Sequence, residues 1–293
     1  MPRQVAVVTG AGGDIGAACA QHLARGRDVV LCVDRDETRA SAVADLIISG
    51  GGDARVLRAD AGGPAFGRET AAAATSLGTV TAAVHALAYE EHRPADALPA
   101  QSLERSLAVG PVAAFALFAE LLAAGCLKAG AALTAIGSLH ASLPFPRCLG
   151  YNAAHAALAQ VIRTLAHEWA PHGIRVNAVV PGWIRTRGEA GLYGDAFLDQ
   201  VAGRLPFGRM GTPDDVAAAV EFLSSPRAAY VSGAFLAVDG ALAVSLADLT
   251  RFGPGDQVGA SGEEFPSMAP GLRPSAARHS HDRIDYGPAG ELN

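Results

Sequence analysis

Three side chains capable of proton transfer stand near one another in the chain: the hydroxyl of Ser138, the phenol of Tyr151 and the imidazole of His155. Tyr151 and His155 are four positions apart, so in a helix starting near Leu149 they share one face about one turn apart. Ser138 precedes Tyr151 by thirteen residues and ends the apolar run AALTAI, which reads as a buried strand. A phenol and an imidazole stacked one turn apart, with a hydroxyl nearby, are groups able to take part in proton transfer. The stretch 137–155 is therefore a candidate proton-transfer site.

The elements that must position these residues alternate between apolar runs and amphipathic segments. Gln4 to Thr9 is an apolar run, Gly10 to Gly16 a glycine-rich turn, and the segment to Arg25 a helix, an order that points free N–H groups and a positive dipole end at any bound pyrophosphate. A second strand, Val29 to Asp34, ends in a carboxylate eighteen residues after Gly16. Asp34 can accept from both ribose hydroxyls of NAD and repels the 2′-phosphate of NADP, so NADP is expected to be the poorer ligand, although Arg35 follows directly. Asp14 either N-caps the helix or competes with a pyrophosphate for its amides. Further strands are expected over Arg55 to Ala59, Val80 to Leu87 and Arg175 to Val180, with helices over about 101–124 and from Leu149 to about Pro171. Pro111 within the first of these helices predicts a kink beside the site. This alternation is the mark of an α/β fold with right-handed crossovers.

With 293 residues, half of them hydrophobic, the chain can fill the core of one large α/β domain. A net charge of −6 without a Lys/Arg cluster argues against nucleic-acid and anionic-membrane partners. Neither a signal-peptide pattern nor an apolar run of membrane-spanning length is apparent, so a cytoplasmic protein is expected. Cys19, Cys32, Cys126 and Cys148 form no C-x-x-C pair and read as reduced core thiols. No metal is expected, although His85, His140 and His155 could converge at the strand ends, where three imidazoles would suit zinc.

Ser138, Tyr151 and a basic residue four positions on resemble the active site of the short-chain dehydrogenase/reductases. TGAGGDIG at 9–16 resembles their T-G-x-x-x-G-x-G, and Pro181 to Thr186 their P-G-x-x-x-T. The resemblance covers about Val5 to Val244. It implies a single doubly wound domain over 1–245 with a mostly parallel seven-stranded sheet, a substrate-covering segment at 187–208, and an extension at 246–293 that is disordered or docks on a neighbouring subunit. It further implies a bound NAD contacted by Gly10, Gly12, Asp14, Ile15, Gly16, Asp34, Arg35, Asp60, Ala61, His85, Ala86, Tyr151, His155, Pro181, Gly182, Ile184 and Thr186. In that reading Ile184 backbone groups and the Thr186 hydroxyl hold the carboxamide, and His140, Leu143, Trp183 and Tyr193 line the substrate. A homodimer or homotetramer and a small-molecule substrate are expected.

The chain departs from the family pattern at its centre. The family's lysine is His155, its Asn-Asn-Ala-Gly is His85-Ala-Leu-Ala88, and its relay asparagine is Gly110. A neutral imidazole supplies little of the fixed charge that lowers a tyrosine pKa. Carbonyl reduction, in which a neutral phenol donates its proton, tolerates this better than alcohol oxidation. Two alternatives stay open: non-redox chemistry (dehydration, isomerisation or cyclisation) using Tyr151, His155 and His140, and a catalytically silent binding or assembly role.

Overall fold

The computed structural model of the chain describes residues 3–245. Expectations for the extension 246–293 lie outside them. Seven strands, β1 (Gln4–Thr9), β2 (Val29–Asp34), β3 (Ala54–Arg58), β4 (Thr79–His85), β5 (Leu127–Ile136), β6 (Arg175–Pro181) and β7 (Phe235–Val238), form one sheet in the order β3-β2-β1-β4-β5-β6-β7. Every pairing is parallel. Ten helices accompany it among the described residues: α1 (Asp14–Ala24), α2 (Glu37–Ser49), α3 (Phe66–Leu77), α4 (Ala100–Leu107), α5 (Ala113–Ala123), α6 (Leu149–Trp169), α7 (Arg187–Tyr193), α8 (Asp195–Ala202), α9 (Pro213–Leu223) and α10 (Leu242–Ser245).

The central strands are largely apolar on both sides because helices cover both faces of the sheet. Val5 and Val7 pack into one core with Leu117, Phe118 and Ile162, from α5 and α6. Ala6 and Val8, which alternate with them, pack into the other with Cys19, Leu23 and Val220, from α1 and α9. The strand order reverses between β1 and β4, which opens a crevice at their carboxyl ends, the place where open α/β sheets bind ligands. Thr9, His85, Ser138 and Pro181 all fall at the carboxyl ends of strands or just beyond them.

The kink expected at Pro111 takes another form. Residues Ala108–Val112 make a π turn in which the Ala113 N–H reaches the Ala108 carbonyl, and the backbone at Leu107 and Ala113 stays helical. One extra residue in the turn accommodates a proline that lacks an N–H, so the helix widens rather than breaks. The run Ala100–Ala123 is long and apolar enough to cross a membrane by length and composition, which the sequence reading did not register. Here α4 packs on α6 and α5 on α3, and Leu117, Phe118 and Leu121 are wholly buried in the core.

Two glycines of the β1–α1 turn are dictated by space. Gly10 has φ +75°, and a Cβ there would stand 2.3 Å from the Ala86 carbonyl oxygen; at Gly16 it would stand 2.1 Å from the Gly10 oxygen. Both obstacles are backbone, so neither can swing aside. Gly16→Ala is expected to lower the free energy of unfolding by about 1–3 kcal/mol, the usual cost of forcing atoms into a filled site. Urea denaturation checks this, and an unchanged midpoint would mean that the turn has room to relax.

Candidate active site

Ser138 leaves β5 in extended conformation and caps the single 3₁₀ turn Leu139–Ala141 by accepting the His140 N–H at 3.2 Å. Its hydroxyl is thereby held toward α6, where it also hydrogen-bonds Tyr151. On α6, Tyr151 and His155 share a face, their ring centroids 4.2 Å apart. His140 meets Tyr151 edge-on at 4.9 Å and stacks on Phe145 at 4.0 Å. Four rings, Phe145, His140, Tyr151 and His155, thus run in series from the surface to the interior.

Burial fixes the protonation of this series. His155 is 5% exposed with neither ring nitrogen hydrogen-bonded, and its pKa falls to about 4, chiefly through desolvation. His85, wholly buried on β4, falls to about 4 for the same reason. Its Nδ1 meets the Thr9 hydroxyl at 3.2 Å, while its Nε2 points at the backbone of Val109 and Gly110 in the π turn without closing a hydrogen bond. Tyr151 is pushed above the ordinary phenol range by burial first and the Glu90 carboxylate second, and the Ser138 hydroxyl opposes both. His140 is also lowered by burial. Asn152 donates to the Phe145 carbonyl at 2.9 Å, so its Oδ1 faces His140 Nδ1 at 2.7 Å as an acceptor. His140 therefore carries its proton on Nδ1 and keeps the Nε2 lone pair free.

Several of the residues expected to contact a dinucleotide come together at the carboxyl ends of β1, β2 and β4. Asp34 accepts the Gly12 N–H at 2.9 Å through Oδ2 and the Asp36 N–H at 3.0 Å through Oδ1, which holds its carboxylate at the lip of the glycine turn. A Cβ at Gly12 would lie 3.1 Å from that Oδ2. Gly10 donates to the Val33 carbonyl at 2.8 Å, and Ala86 to Thr9 at 3.1 Å, closing the floor of the crevice. Ile184 sits in a bridge to Gly211 made by Trp183 and Arg185, so its own N–H and carbonyl are not used there. Thr186 caps α7 by accepting the Glu189 N–H at 3.1 Å. Asp60 accepts from Gly62 at 3.0 Å as a turn residue. A nicotinamide dinucleotide fits this donor set: small residues crowd the turn, a carboxylate stands at the end of β2, and the orphaned imidazole nitrogens of His155 lie one turn below Tyr151.

Asp14 does not cap α1. Gly13 is the N-cap and Asp14 the first helical residue, with no capping hydrogen bond from its side chain. Its carboxylate instead accepts the Arg187 backbone N–H at 2.6 Å and pairs with the Arg187 Nε, while Arg187 Nη2 reaches the Gly12 carbonyl at 3.4 Å. The charge that would oppose a pyrophosphate is thus matched by a guanidinium, and the same contact fastens the covering segment to the glycine turn.

In that segment Tyr193 of α7 and Phe197 of α8 form an aromatic group with Trp183, which lies just before it. Trp183 Nε1 donates to Glu189 at 2.7 Å, and burial raises the Glu189 pKa against that bond. Leu143 lies half-buried past the 3₁₀ turn. The sequence reading missed Glu90, His92, Asn152 and Glu189, and the pairing of Arg187 with Asp14, all of which come from contacts distant in sequence or from loops without periodicity. Cys148, expected to be a core thiol, is buried but stands 4.0 Å from Glu90. His85, His140 and His155 do not converge as a metal-ligating group; among the described residues Glu90, His92 and Cys148 do.

A family profile described as Enoyl-(Acyl carrier protein) reductase matches residues 10–242. The 3beta-hydroxysteroid dehydrogenase 1 of Eggerthella lenta is 33% identical over 248 residues, 80% of this chain and 92% of that protein. A crystal structure of a protein described as an NAD(P)-dependent gluconate 5-dehydrogenase from Beutenbergia cavernae, with bound NADP at low occupancy, has a TM-score of 0.75 and 33% identity, covering 82% of this chain and 97% of that one. A 7α-hydroxysteroid dehydrogenase complexed with NADH and 7-oxo glycochenodeoxycholic acid has a TM-score of 0.75 at 28% identity, covering 81% and 93%. The chain belongs to the short-chain dehydrogenase/reductase family and has its Rossmann fold, with an oxidoreductase's ancestry. These relatives do not uphold the expectation that NADP is the poorer ligand: one structure carries NADP and another NADH.

Two outcomes follow from these charges. A histidine kept neutral when folded but free to protonate when unfolded costs stability as pH falls from its ordinary value of 6.5 toward about 4. Between pH 7 and pH 5 each of His85 and His155 is expected to cost about 2 kcal/mol, and His155→Leu should remove one share in paired urea titrations. An unaltered pH dependence in that variant would mean that His155 protonates when folded. Separately, Arg187→Ala is expected to weaken dinucleotide binding about five- to ten-fold, and Asp14→Gly in that background to restore it. Calorimetry reads both; additive effects of the two changes would contradict the pairing.

Proposed function

We propose that the protein reduces a carbonyl on a small, largely apolar substrate with NADH or NADPH. The observation that carries this reading is the protonation of the Tyr151 and His155 pair, a phenol raised above its ordinary range beside an imidazole lowered to about 4. At neutral pH both are uncharged. A neutral phenol is already the acid that carbonyl reduction requires, whereas alcohol oxidation requires a phenolate, and no cationic side chain among the described residues acts on Tyr151 to stabilise one.

A nicotinamide cofactor, when bound, supplies the hydride. The chain's own residues do the rest: Ser138 orients the substrate oxygen, Tyr151 donates its hydroxyl proton to it, and neutral His155 offers one hydrogen bond from beneath. Trp183, Tyr193 and Phe197 cover the site and exclude water. At the adenosine end, Asp34 suits ribose hydroxyls, and the exposed Arg35 and Arg39 beside it suit a 2′-phosphate, which supports use of either cofactor.

A second reading rests on His140. Its free Nε2 lone pair beside the protonated Tyr151 makes a base and an acid on neighbouring rings, an arrangement suited to dehydration or isomerisation. Loss of such an activity in Tyr151→Phe, with no cofactor turned over, would establish it.

The test of the main reading is calorimetric titration with NADH and NADPH, followed by rates on a panel of carbonyl compounds and the matching alcohols. Failure to bind either nucleotide at millimolar concentration would remove hydride transfer. Reduction should be flat from about pH 6 to 8, whereas oxidation should rise about ten-fold per pH unit. His155→Lys together with Gly110→Asn should raise oxidation at neutral pH about ten-fold or more. A Cβ at Gly110 meets Ala154 at an ordinary 3.7 Å, so the first atom of the new side chain has room. Oxidation as fast as reduction in the native protein at pH 7 would contradict the reading.

A further inference from the structure

Beside the ring series, the loop after β4 and the turn before α6 bring three different metal-ligand types together. Glu90 and His92 stand two residues apart on the loop, and Cys148 is the last residue before α6. One ligand atom from each lies within 4.8 Å of the others. The His92 Nε2 is 2.7 Å from Glu90 Oε1, and Cys148 Sγ is 4.0 Å from the same oxygen. Beside the cluster the two segments are tied together by the Arg93 N–H donating to the Arg147 carbonyl at 2.9 Å. Cys148 is 5% exposed, and that distant carboxylate is the partner its thiol finds.

We propose that Glu90, His92 and Cys148 form a binding site for a divalent cation of borderline softness, zinc foremost. A thiolate, an imidazole and a carboxylate suit zinc, whereas magnesium and calcium take oxygen ligands alone. Tetrahedral zinc, with bonds of about 2.0–2.3 Å, holds such ligand atoms about 3.4–3.6 Å apart. The Cys148–Glu90 separation of 4.0 Å must shorten by about 0.5 Å and the His92–Glu90 separation of 2.7 Å must lengthen by about 0.7 Å, both within reach of the partly exposed Glu90 and His92 side chains. On binding, the Cys148 S–H bond breaks, its electron pair goes to the metal and its proton to solvent. Three protein ligands leave a fourth position for water or another donor. The Glu90 charge reaches Tyr151, so occupancy of the site also alters the field at the phenol.

The test is titration of the reduced, metal-stripped, untagged full chain with Co²⁺, followed by displacement with Zn²⁺. One equivalent should produce a thiolate-to-cobalt charge-transfer band with the d–d bands of a tetrahedral ion, and Zn²⁺ should abolish both. His279 and His281, in the extension, can bind cobalt but cannot give a thiolate band. Cys148→Ser should remove that band. His92→Gln, at a partly exposed position, should weaken Co²⁺ binding about ten-fold or more without changing the melting temperature of the metal-free protein. Absence of the band in the native chain, its survival in Cys148→Ser, or unchanged affinity in His92→Gln would overturn the assignment.

Discussion

An imidazolium at position 155 would have to leave water for a place where neither ring nitrogen has a hydrogen-bond partner, and the cost of that transfer sets the chemistry around it. Burial therefore keeps His155 neutral, and it keeps His85 neutral on the neighbouring strand end. The same burial, with Glu90 at the mouth, keeps Tyr151 protonated. A lysine ammonium at this position would act in the opposite sense, drawing the phenol toward ionisation. The neutral ring thus leaves the phenol without a neighbouring ammonium, while the fold that presents the phenol stays intact.

The protein handles its two awkward charges differently. At the glycine turn a carboxylate is retained and matched: Asp14 is paired with Arg187, which arrives from 173 residues away on the covering segment. Beneath Tyr151 the charge is given up, and a neutral ring replaces a cation. The first solution keeps the N-terminus of α1 open to an anion because the guanidinium offsets the carboxylate. The second depends on burial: His155 is 5% exposed, and the π turn at Gly110 and Pro111 packs against α6.

The fold was legible because its signals are local. Apolar runs of strand length, glycines at a strand-to-helix turn and a proline-glycine pair after β6 each announce an element within a few residues. Ser138, Tyr151 and His155 were legible as well, since helix geometry alone places the last two on one face. What sequence could not show were partners across the fold. Asp14 read equally as a cap, because nothing local says that Arg187 reaches it. Pro111 promised a kink, but whether a helix breaks or widens depends on the packing of α6 against it. Glu90, His92 and Cys148 come from an aperiodic loop and a turn 56 residues apart, and only the tertiary fold sets them side by side. The cofactor preference read from Asp34 is not upheld by relatives that carry NADP as well as NADH, and the carboxylate has the exposed Arg35 and Arg39 near it.

The most direct measurement is an ultraviolet difference titration of the native chain against Tyr151→Phe, read at the phenolate absorbance from neutral to alkaline pH. The account predicts that no phenolate attributable to Tyr151 forms below about pH 10, the ordinary phenol value. A Tyr151 phenolate appearing near pH 7 to 8 would show that some cation supports it, and the neutral pair on which the account stands would be wrong.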